Sequence, residues 1–442
     1  MEYNPLAVIL TIAGAYMLIK LRAFFVLHPL RTFKCLASNL RSKRQIKALT
    51  LALAGTLGVG NVFGVCIGLI IGGKGSVFWL FVSSVFASVL KYSEVVLAFD
   101  NLSHTRVGAP GGMCHTLYVT MGRRGRLLAH MYAVFCGLMA LVMGAGLQAG
   151  TLSEAMGDLF STPPYIVGII FAIAAFVSIV GGVKIIEKIT LVAIPLSTIV
   201  YIVITGSIII GNINGIVPLT LEIIKDAFAP ESVTGGALAF LFSRALTEGY
   251  SRGILSNEAG SGTSSMAHSR SGILNPAGAG LLGIVEVVFD SCILCMLTAY
   301  SVLLTVPDLT AFDSGMSLIL YATEATLGKG FSTLLLLSVA IFAYATVVCW
   351  YYYGESSFLF ITGGRYRYIF LFTFTLSVFV GTVINIRLLV TLTDLLMLGL
   401  VALTLSAVIK KYDRIKLLSE RGGLLSPRLI KIKENEFLNK LL

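Results

Sequence analysis

The stretch Gly55-Thr56-Leu57-Gly58-Val59-Gly60-Asn61-Val62-Phe63-Gly64 lies inside a long apolar segment, Lys47–Gly72. A glycine costs about 0.5–1 kcal/mol relative to alanine in a helix interior, so glycines at this density predict a break in the helix. In a membrane, irregular backbone is tolerated only where it packs against protein or lines a polar cavity. The stretch therefore indicates a broken membrane span, although its glycines would also suit close helix packing.

A second stretch of this kind, Ser256-Asn257-Glu258-Ala259-Gly260-Ser261-Gly262-Thr263, lies far downstream. It ends a segment that carries Arg244, Glu248 and Arg252 on one helix face. Ionisable groups at membrane depth usually face a bundle interior or a cavity, and paired glycine-interrupted spans point to a transporter's binding site. The alternative is that the span ends near Ser251 and that the polar block is a solvated cytoplasmic loop.

Composition supports a membrane protein. The mean hydropathy is +0.90. Hydrophobic residues make up 56% of the 442 residues and charged residues only 12%, where about 25% charged is usual for soluble domains. The net charge of +11 does not indicate nucleic-acid binding, because the charges lie in loops and in a tail. A hydrolase built from Ser264, His268 and Asp290 would lack the nucleophile-elbow pattern, so we predict no enzyme.

The apolar segments predict an all-α polytopic membrane protein with about eleven transmembrane helices. The predicted spans are Pro5–Ile19, Lys47–Gly72, Ser76–Ala98, Leu127–Gly150, Tyr165–Gly182, Ile189–Ile210, Gly235–Glu258, Gly278–Thr305, Phe331–Tyr353, Tyr368–Ile384 and Leu388–Ile409. Between them, Leu219–Phe228 and Pro307–Lys329 read as surface helices on the outer side.

The positive charges set the orientation of these spans. Eight lysines and arginines lie between Lys20 and Lys47, and nine more follow from Lys410 onward. The loops on the opposite side hold four, namely Lys74, Lys225, Lys329 and Arg387. Because cytoplasmic loops are enriched in lysine and arginine, we predict an outside N-terminus and a cytoplasmic C-terminus.

Without the first span, ten spans remain and divide into five and five. One broken span opens each half, and an odd number of spans per half reverses its direction, which predicts a 5+5 inverted repeat with discontinuous first helices. The predicted parts are residues 1–46 (N-terminal helix and basic cytoplasmic loop), 47–212 (first repeat), 213–234 (extracellular connection), 235–409 (second repeat) and 410–442 (basic cytoplasmic tail).

Several motifs carry a resemblance to a known family. They are Arg252-Gly253, Ser256–Gly262 and Ala267-His268; Gly72-Gly73-x-Gly75-x-Val77-Phe78-Trp79; Lys91-Tyr92-x-Glu94; Gly181-Gly182-Val183-Lys184; and Trp350-Tyr351-Tyr352-Tyr353-Gly354-Glu355. Together they resemble the alanine or glycine:cation symporter family. The resemblance implies a leucine-transporter-like fold in the bacterial cytoplasmic (inner) membrane. It also implies uptake of small neutral amino acids, alanine (D or L) or glycine, coupled to Na⁺ as the coupling ion.

The resemblance also implies the site. Its substrate-binding residues would be Thr56, Gly60, Asn61, Gln148, Ser261, Gly262 and Trp350. Its Na⁺ ligands would be Gly58, Thr56 and Thr346. Carbonyl and hydroxyl oxygens at a helix break suit Na⁺, and half-helix N-termini suit a carboxylate.

Two other functions stay open. Ala345 stands where the family often has a second hydroxyl beside Thr346, which keeps a proton-coupled or cation-independent amino-acid permease or exchanger of the same fold in play. A non-transporting membrane receptor is the more distant alternative. The basic tail suggests contact with membrane lipid, and the sequence does not indicate an oligomeric state.

Four further ionisable residues have simpler interpretations. Lys91 and Glu94 read as a local pair or as an anchor at the membrane edge, with an ion path as the alternative. His268 reads as a loop histidine, with a proton carrier as the alternative. Asp290 lies in the middle of a span and is expected in a cavity or a polar network.

Overall fold

A computed structural model describes residues 5–39, 43–101, 112–229, 243–269, 275–312 and 314–425. Helices form almost all of this part of the chain, and no strand occurs in these ranges. The prediction of an all-α protein is therefore confirmed.

The first part of the chain forms a series of apolar helices. They are α1 (Pro5–Lys20), α2 (Phe24–Leu27), α3 (Pro29–Asn39), α4 (Lys43–Thr56), α5 (Phe63–Gly72), α6 (Gly75–Asp100), α7 (Met113–Thr120), α8 (Gly125–Met139), α9 (Gln148–Phe160), α10 (Pro164–Val180) and α11 (Val183–Gly211). A π-helical segment, Ala140–Leu147, joins α8 to α9. This span continues to Phe160 rather than ending at Gly150, because the polar residues that follow Gly150 do not break a helix.

The second part of the chain continues in the same way. Its helices are α12 (Ile216–Ala227), α13 (Arg244–Asn257), α14 (Ser264–His268), α15 (Pro276–Val287), α16 (Met296–Leu303), α17 (Gly315–Leu327), α18 (Lys329–Thr362), α19 (Arg367–Gly381), α20 (Ile386–Lys410) and α21 (Tyr412–Arg421). A second π-helical segment, Val288–Cys295, joins α15 to α16. Helices α12 and α17 correspond to the two predicted surface helices.

Six helical stretches in the described ranges are long and apolar enough to cross a membrane, and the bent pair α4–α5 adds a seventh. Three further apolar helices, α1, α10 and α19, are shorter. The span predicted for Gly235–Glu258 begins outside the described residues, since 230–242 are not among them. The multi-pass helical class is therefore shown, while the count of eleven stays a prediction.

The helices pack in two groups. In one group α6 packs against α1, α13 and α15, and α5 packs against α13. In the other, α18 packs against α8 and α11, while α10 and the segment Ala140–Leu147 pack against α19. Helix α4 contacts α11 and α18, so the first broken span bridges the two groups.

Helix α12 covers the start of α6. The Asp226 carboxylate accepts a hydrogen bond from the Gly75 amide at 2.6 Å, and Lys74 Nζ lies 2.6 Å from Glu222 Oε2. The Lys74 ammonium lowers the pKa of the Glu222 carboxyl. A lowered pKa contributes stability above the unfolded-state pKa and loses it as the pH falls, but the effect of so exposed a pair is small.

Candidate functional site

The first broken span has the predicted break. Helix α4 ends at Thr56, a single 3₁₀ turn covers Val59–Asn61, and α5 begins at Phe63. The two helical pieces are bent by 60° relative to each other. This geometry frees backbone carbonyls at the end of α4, in the interior of the protein.

The second break follows α13. Glu258, Gly260 and Gly262 have φ angles of 53°, 79° and 82°, a left-handed region in which glycine is unstrained. The short helix α14 then begins at Ser264. Every residue from Ser256 to His268 is buried, so the interpretation of this block as a solvated loop is wrong.

Gly60 in the first break packs against the last turn of α13. A Cβ atom on Gly60 would lie 3.3 Å from Ser256 Cα and 3.4 Å from the Leu255 carbonyl oxygen. The backbone of the first break therefore lies close to the end of α13, directly before the second break begins.

Gly58 lies between two predicted site residues. A Cβ atom on Gly58 would lie 2.7 Å from Gln148 Oε1 and 2.8 Å from Thr346 Oγ1. The Val59 amide donates a hydrogen bond to Gln148 Oε1 at 3.0 Å. The structure thus brings Gly58 in the first break together with Gln148 on α9 and Thr346 on α18.

Thr346 reaches the carbonyls at the end of α4. Its hydroxyl donates to the Ala54 carbonyl at 2.8 Å and to the Leu57 carbonyl at 3.3 Å. Three neutral oxygens thereby converge beside Gly58. The Thr56 hydroxyl instead lies 3.4 Å from the carbonyls of Ala52 and Leu53 in its own helix, so the structure does not bring it to this group.

Trp350 spans the two breaks. Its indole Nε1 lies 3.0 Å from Glu258 Oε1 in the second break and 3.3 Å from the Gly55 carbonyl in the first. A Cβ atom on Gly144 would lie 2.4 Å from Trp350 Cβ. The fully buried ring is therefore fixed by packing on one side and by hydrogen bonds on the other.

Asn61 connects the first break to α13 and the second π-helical segment. Its Nδ2 donates to Asp290 Oδ1 at 2.5 Å, and the Ser256 hydroxyl donates to Asp290 Oδ2 at 2.8 Å. The network predicted for Asp290 is therefore confirmed. The Oδ1 atom of Asn61 is buried and accepts no hydrogen bond, which leaves it free to accept one from a ligand.

Ser261 and Gly262 have other neighbours. The Ser261 carbonyl accepts from the Tyr132 hydroxyl at 2.8 Å and from the Thr404 hydroxyl at 3.0 Å. The Gly262 amide donates to Glu94 Oε2 at 3.0 Å. Both residues belong to the second break, as predicted, but these contacts are not with the first break.

Of the simpler interpretations, one is confirmed in part and one is wrong. Lys91 and Glu94 form the predicted local pair, with 3.9 Å between Lys91 Nζ and Glu94 Oε1. Both are 0% exposed, and Lys91 Nζ lies closer still to Glu286, at 3.3 Å, so they do not form an anchor at the membrane edge. His268 is also 0% exposed and lies 3.0 Å from Glu286, so it is not a loop histidine. The burial of these residues could have been predicted from the sequence, because ionisable residues in apolar spans usually face the protein interior.

The sequence did not point to Tyr132 or Thr404, and it did not assign Glu258 to Trp350. A tyrosine or a threonine in an apolar span is too common to indicate a contact. Glu258 could have been singled out as a carboxyl group at membrane depth.

A cavity of about 670 Å³ opens beside the breaks, between α5, α13 and α20. Arg252 lines it, with its Nε 3.0 Å from Glu248 and its Nη2 3.7 Å from Asp394. The Arg252 Nη1 atom is buried and has no hydrogen-bond partner. The charged face predicted on α13 therefore borders a cavity.

Apolar helices long enough to cross a membrane, two helix breaks linked through Trp350 and oxygens converging beside the first break define a multi-pass transporter. The chain belongs to the sodium:alanine symporter family, whose model matches residues 1–414. This membership indicates an amino-acid/cation symporter.

Several relatives with different names match most of the chain. The sodium/alanine symporter AgcS of Methanococcus maripaludis is 31% identical over 327 residues, which are 72% of this chain and 71% of AgcS. An uncharacterized transporter of Haemophilus influenzae is 29% identical over 399 residues, 88% of this chain and 87% of the relative. A probable sodium/glutamine symporter of Bacillus subtilis, GlnT, is 29% identical, with 83% and 77% covered.

Proposed function

We propose that this protein imports small neutral amino acids, alanine in its D or L form or glycine, together with Na⁺ by alternating access. The observation that carries the proposal is the convergence of the Thr346 hydroxyl on the carbonyls of Ala54 and Leu57, at 2.8 and 3.3 Å. Oxygen atoms at a helix break are the ligands that transporters use for Na⁺.

In this proposal Na⁺ binds at Gly58 and Thr346, and Thr56 joins them when its hydroxyl turns away from its own helix. The amino acid binds between the two breaks, at Gly60, Asn61 and Gln148 on one side and at Ser261 and Gly262 on the other. The Asn61 Oδ1 atom, which accepts no hydrogen bond in the structure, would accept one from the substrate ammonium group.

Trp350 supports the limit to small side chains. The ring is held between Gly144, the Gly55 carbonyl and Glu258, so it cannot move aside without breaking these contacts. A fixed aromatic wall admits a hydrogen or a methyl group more readily than a longer side chain.

The membrane arrangement follows the same proposal. The repeats 47–212 and 235–409 would form two inverted five-helix units within an eleven-helix protein. The N-terminus would lie outside and the C-terminus in the cytoplasm of a bacterial inner membrane. The lysine and arginine distribution supports this orientation.

Uptake by proteoliposomes tests the proposal. We expect L-alanine to accumulate with an inward Na⁺ gradient and not with choline in its place. Thr346→Val should raise the half-saturating Na⁺ concentration at least about tenfold, or about 1.4 kcal/mol, because it removes one oxygen ligand. Thr346→Ser, which keeps the hydroxyl, should stay near the parent value.

Thr393→Val is the matched control, because Thr393 is also buried and its hydroxyl bonds within its own helix at 2.8 Å. Uptake that ignores Na⁺ and follows a proton gradient would contradict the Na⁺ coupling. Binding without accumulation would instead indicate a receptor. Competition by glycine, L-alanine, D-alanine and serine then defines the substrate.

A further inference from the structure

Five titratable side chains form a closed cluster next to the second break. They come from four elements, and each is 0% exposed. The cluster consists of Lys91 and Glu94 on α6, Glu258 in the break, His268 on α14 and Glu286 on α15.

Most of the cluster is linked by short contacts. Lys91 Nζ donates to Ser264 Oγ at 2.8 Å, and Ser264 Oγ donates to Glu286 Oε1 at 2.7 Å. Glu286 Oε2 lies 3.0 Å from His268 Nε2. Glu94 lies 3.9 Å from Lys91, so a change of charge at any of these groups is felt by the others.

The charges of this cluster do not balance. One lysine faces three carboxyl groups, so the cluster carries two uncompensated negative charges if every glutamate is ionised and His268 is neutral. An unpaired charge away from water costs several kcal/mol even after relaxation. A positive charge therefore has to enter this cluster.

The hydrogen bonds of the three carboxyl groups indicate whether a metal ion or a proton can enter the cluster. Both oxygens of Glu286 accept hydrogen bonds. Both oxygens of Glu258 do so too, from Trp350 at 3.0 Å and Thr263 at 2.8 Å. Glu94 Oε2 accepts from the Gly262 amide, whereas Glu94 Oε1 lies 3.9 Å from Lys91 Nζ, beyond hydrogen-bond distance, and accepts none. A metal ion needs several free oxygens at once, whereas a proton needs one.

The second atom of the cluster without a hydrogen-bond partner is His268 Nδ1. Its role as donor or acceptor depends on the tautomer of the imidazole ring. Glu94 Oε1 is therefore the carboxyl oxygen of the cluster that lacks a hydrogen bond.

We propose that Glu94 is a proton-binding site, with an O–H bond at Oε1 in the arrangement seen here. The proton is taken from water and returned to water, leaving the carboxylate, when the second break moves and the cluster is hydrated. Because Glu94 Oε2 holds the Gly262 amide, the proton is bound at the break itself. Low pH then favours the closed cluster, and high pH favours the hydrated one.

Other titratable groups face Glu94 and would shift its titration. They are Lys91 on α6, Glu286 on α15 and Tyr132 on α8. His268 on α14 belongs to the same cluster through its contact with Glu286. The test therefore follows the proton itself rather than a pH optimum.

Infrared spectroscopy of the purified full-length protein near neutral pH reports the C=O stretch of a protonated carboxyl group. We expect this band in the parent and not in Glu94→Gln, whose amide can still accept from Gly262. The control is Glu222→Gln, which removes an exposed, ionised carboxylate and should keep the band. A band of unchanged size in Glu94→Gln would overturn the proposal, as would its absence from the parent.

If Glu94→Gln does not fold, Glu94→Asp serves instead. It should keep the protonated-carboxyl band at a shifted frequency, and an unshifted band would contradict the assignment. The claim that this proton is exchanged during transport rests on the proposed function. The infrared band of the protonated carboxyl group, in contrast, is measured without substrate. A protein that shows the band but transports no alanine would therefore refute the transport proposal and keep the proton site.

The transport readout is the rate of uptake at different internal pH values. We expect the parent rate to rise with internal pH, because loss of the proton opens the cluster, and the Glu94→Gln rate to be flat. Equal slopes in both proteins would contradict exchange of this proton during transport.

Discussion

Gly60 is the residue at which the first break meets the end of α13, and its missing side chain decides how closely the two approach. Ser256 Cα and the Leu255 carbonyl lie where a Cβ atom would make contacts of 3.3 and 3.4 Å. Both are backbone atoms and cannot rotate away, so an alanine has to push the first break and α13 apart by a few tenths of an ångström.

We predict that Gly60→Ala lowers substrate uptake at least about tenfold, or about 1.4 kcal/mol, because it displaces the facing end of α13. Gly64→Ala is the matched control four residues further on, since its Cβ atom would lie 3.6 Å from Leu255 Cδ2, an ordinary contact. Uptake by proteoliposomes at equal protein density is the measurement. Equal losses in both variants would contradict a special role for Gly60.

The roles predicted for the site residues stay predictions, but three of the residues do lie together. Gly58, Gln148 and Thr346 were named through the family resemblance, and the structure brings them into contact. The Thr56 hydroxyl was expected in this group and bonds within its own helix instead. A threonine at a helix end has two competing acceptors, and the sequence does not say which one it takes.

At the scale of elements, α8 and its π-helical extension pack tightly against α18. Gly144 lies in the segment Ala140–Leu147, and a Cβ atom there would lie 2.4 Å from Trp350 Cβ and 2.7 Å from Trp350 Cγ. A π-helical turn inside an α-helix shifts the faces of the helix that follow it. The position of Trp350 therefore depends on how these two elements fit.

We predict that Gly144→Ala destabilises the protein by about 1–3 kcal/mol through overpacking and lowers uptake by moving Trp350. Gly137→Ala on the same span is the control, because nothing lies within 4 Å of its Cβ position; alanine there should be neutral or slightly stabilising. Thermal unfolding in detergent measures both variants. A melting midpoint for Gly144→Ala at or above that of Gly137→Ala would refute the tight fit.

The breaks themselves were predictable because glycine density and φ preference are local properties. The ends of the helices were less predictable from the sequence. The predicted spans Leu127–Gly150 and Phe331–Tyr353 continue to Phe160 and Thr362 in the structure. Their extra turns carry polar residues that packing keeps helical, and a hydropathy pattern does not register them.

At the scale of the whole molecule, lysines and arginines determine the predicted orientation. Lys225 lies on α12, and Arg414, Lys416 and Arg421 lie on α21. These two exposed helices should lie on opposite sides of the membrane if the N-terminus is outside.

We predict that a membrane-impermeant maleimide labels Lys225→Cys in intact cells and labels Asp413→Cys only after permeabilisation. Both positions are exposed, and the positive-inside distribution puts them on opposite sides. The unsubstituted chain, with its seven native cysteines, gives the background. Labelling of Asp413→Cys in intact cells would reverse the predicted topology.

The sequence by itself determined the membrane class, the two breaks and the residue types available to bind an ion and an amino acid. These follow from hydropathy, glycine content and charge, which are properties of neighbouring residues. Only the tertiary structure decided that Asn61 meets Asp290, that Gly60 meets Ser256 and that Lys91, Glu94, His268 and Glu286 share one buried cluster. The partners within these contacts come from separate helices, and the packing that joins them leaves no periodic signal in the chain.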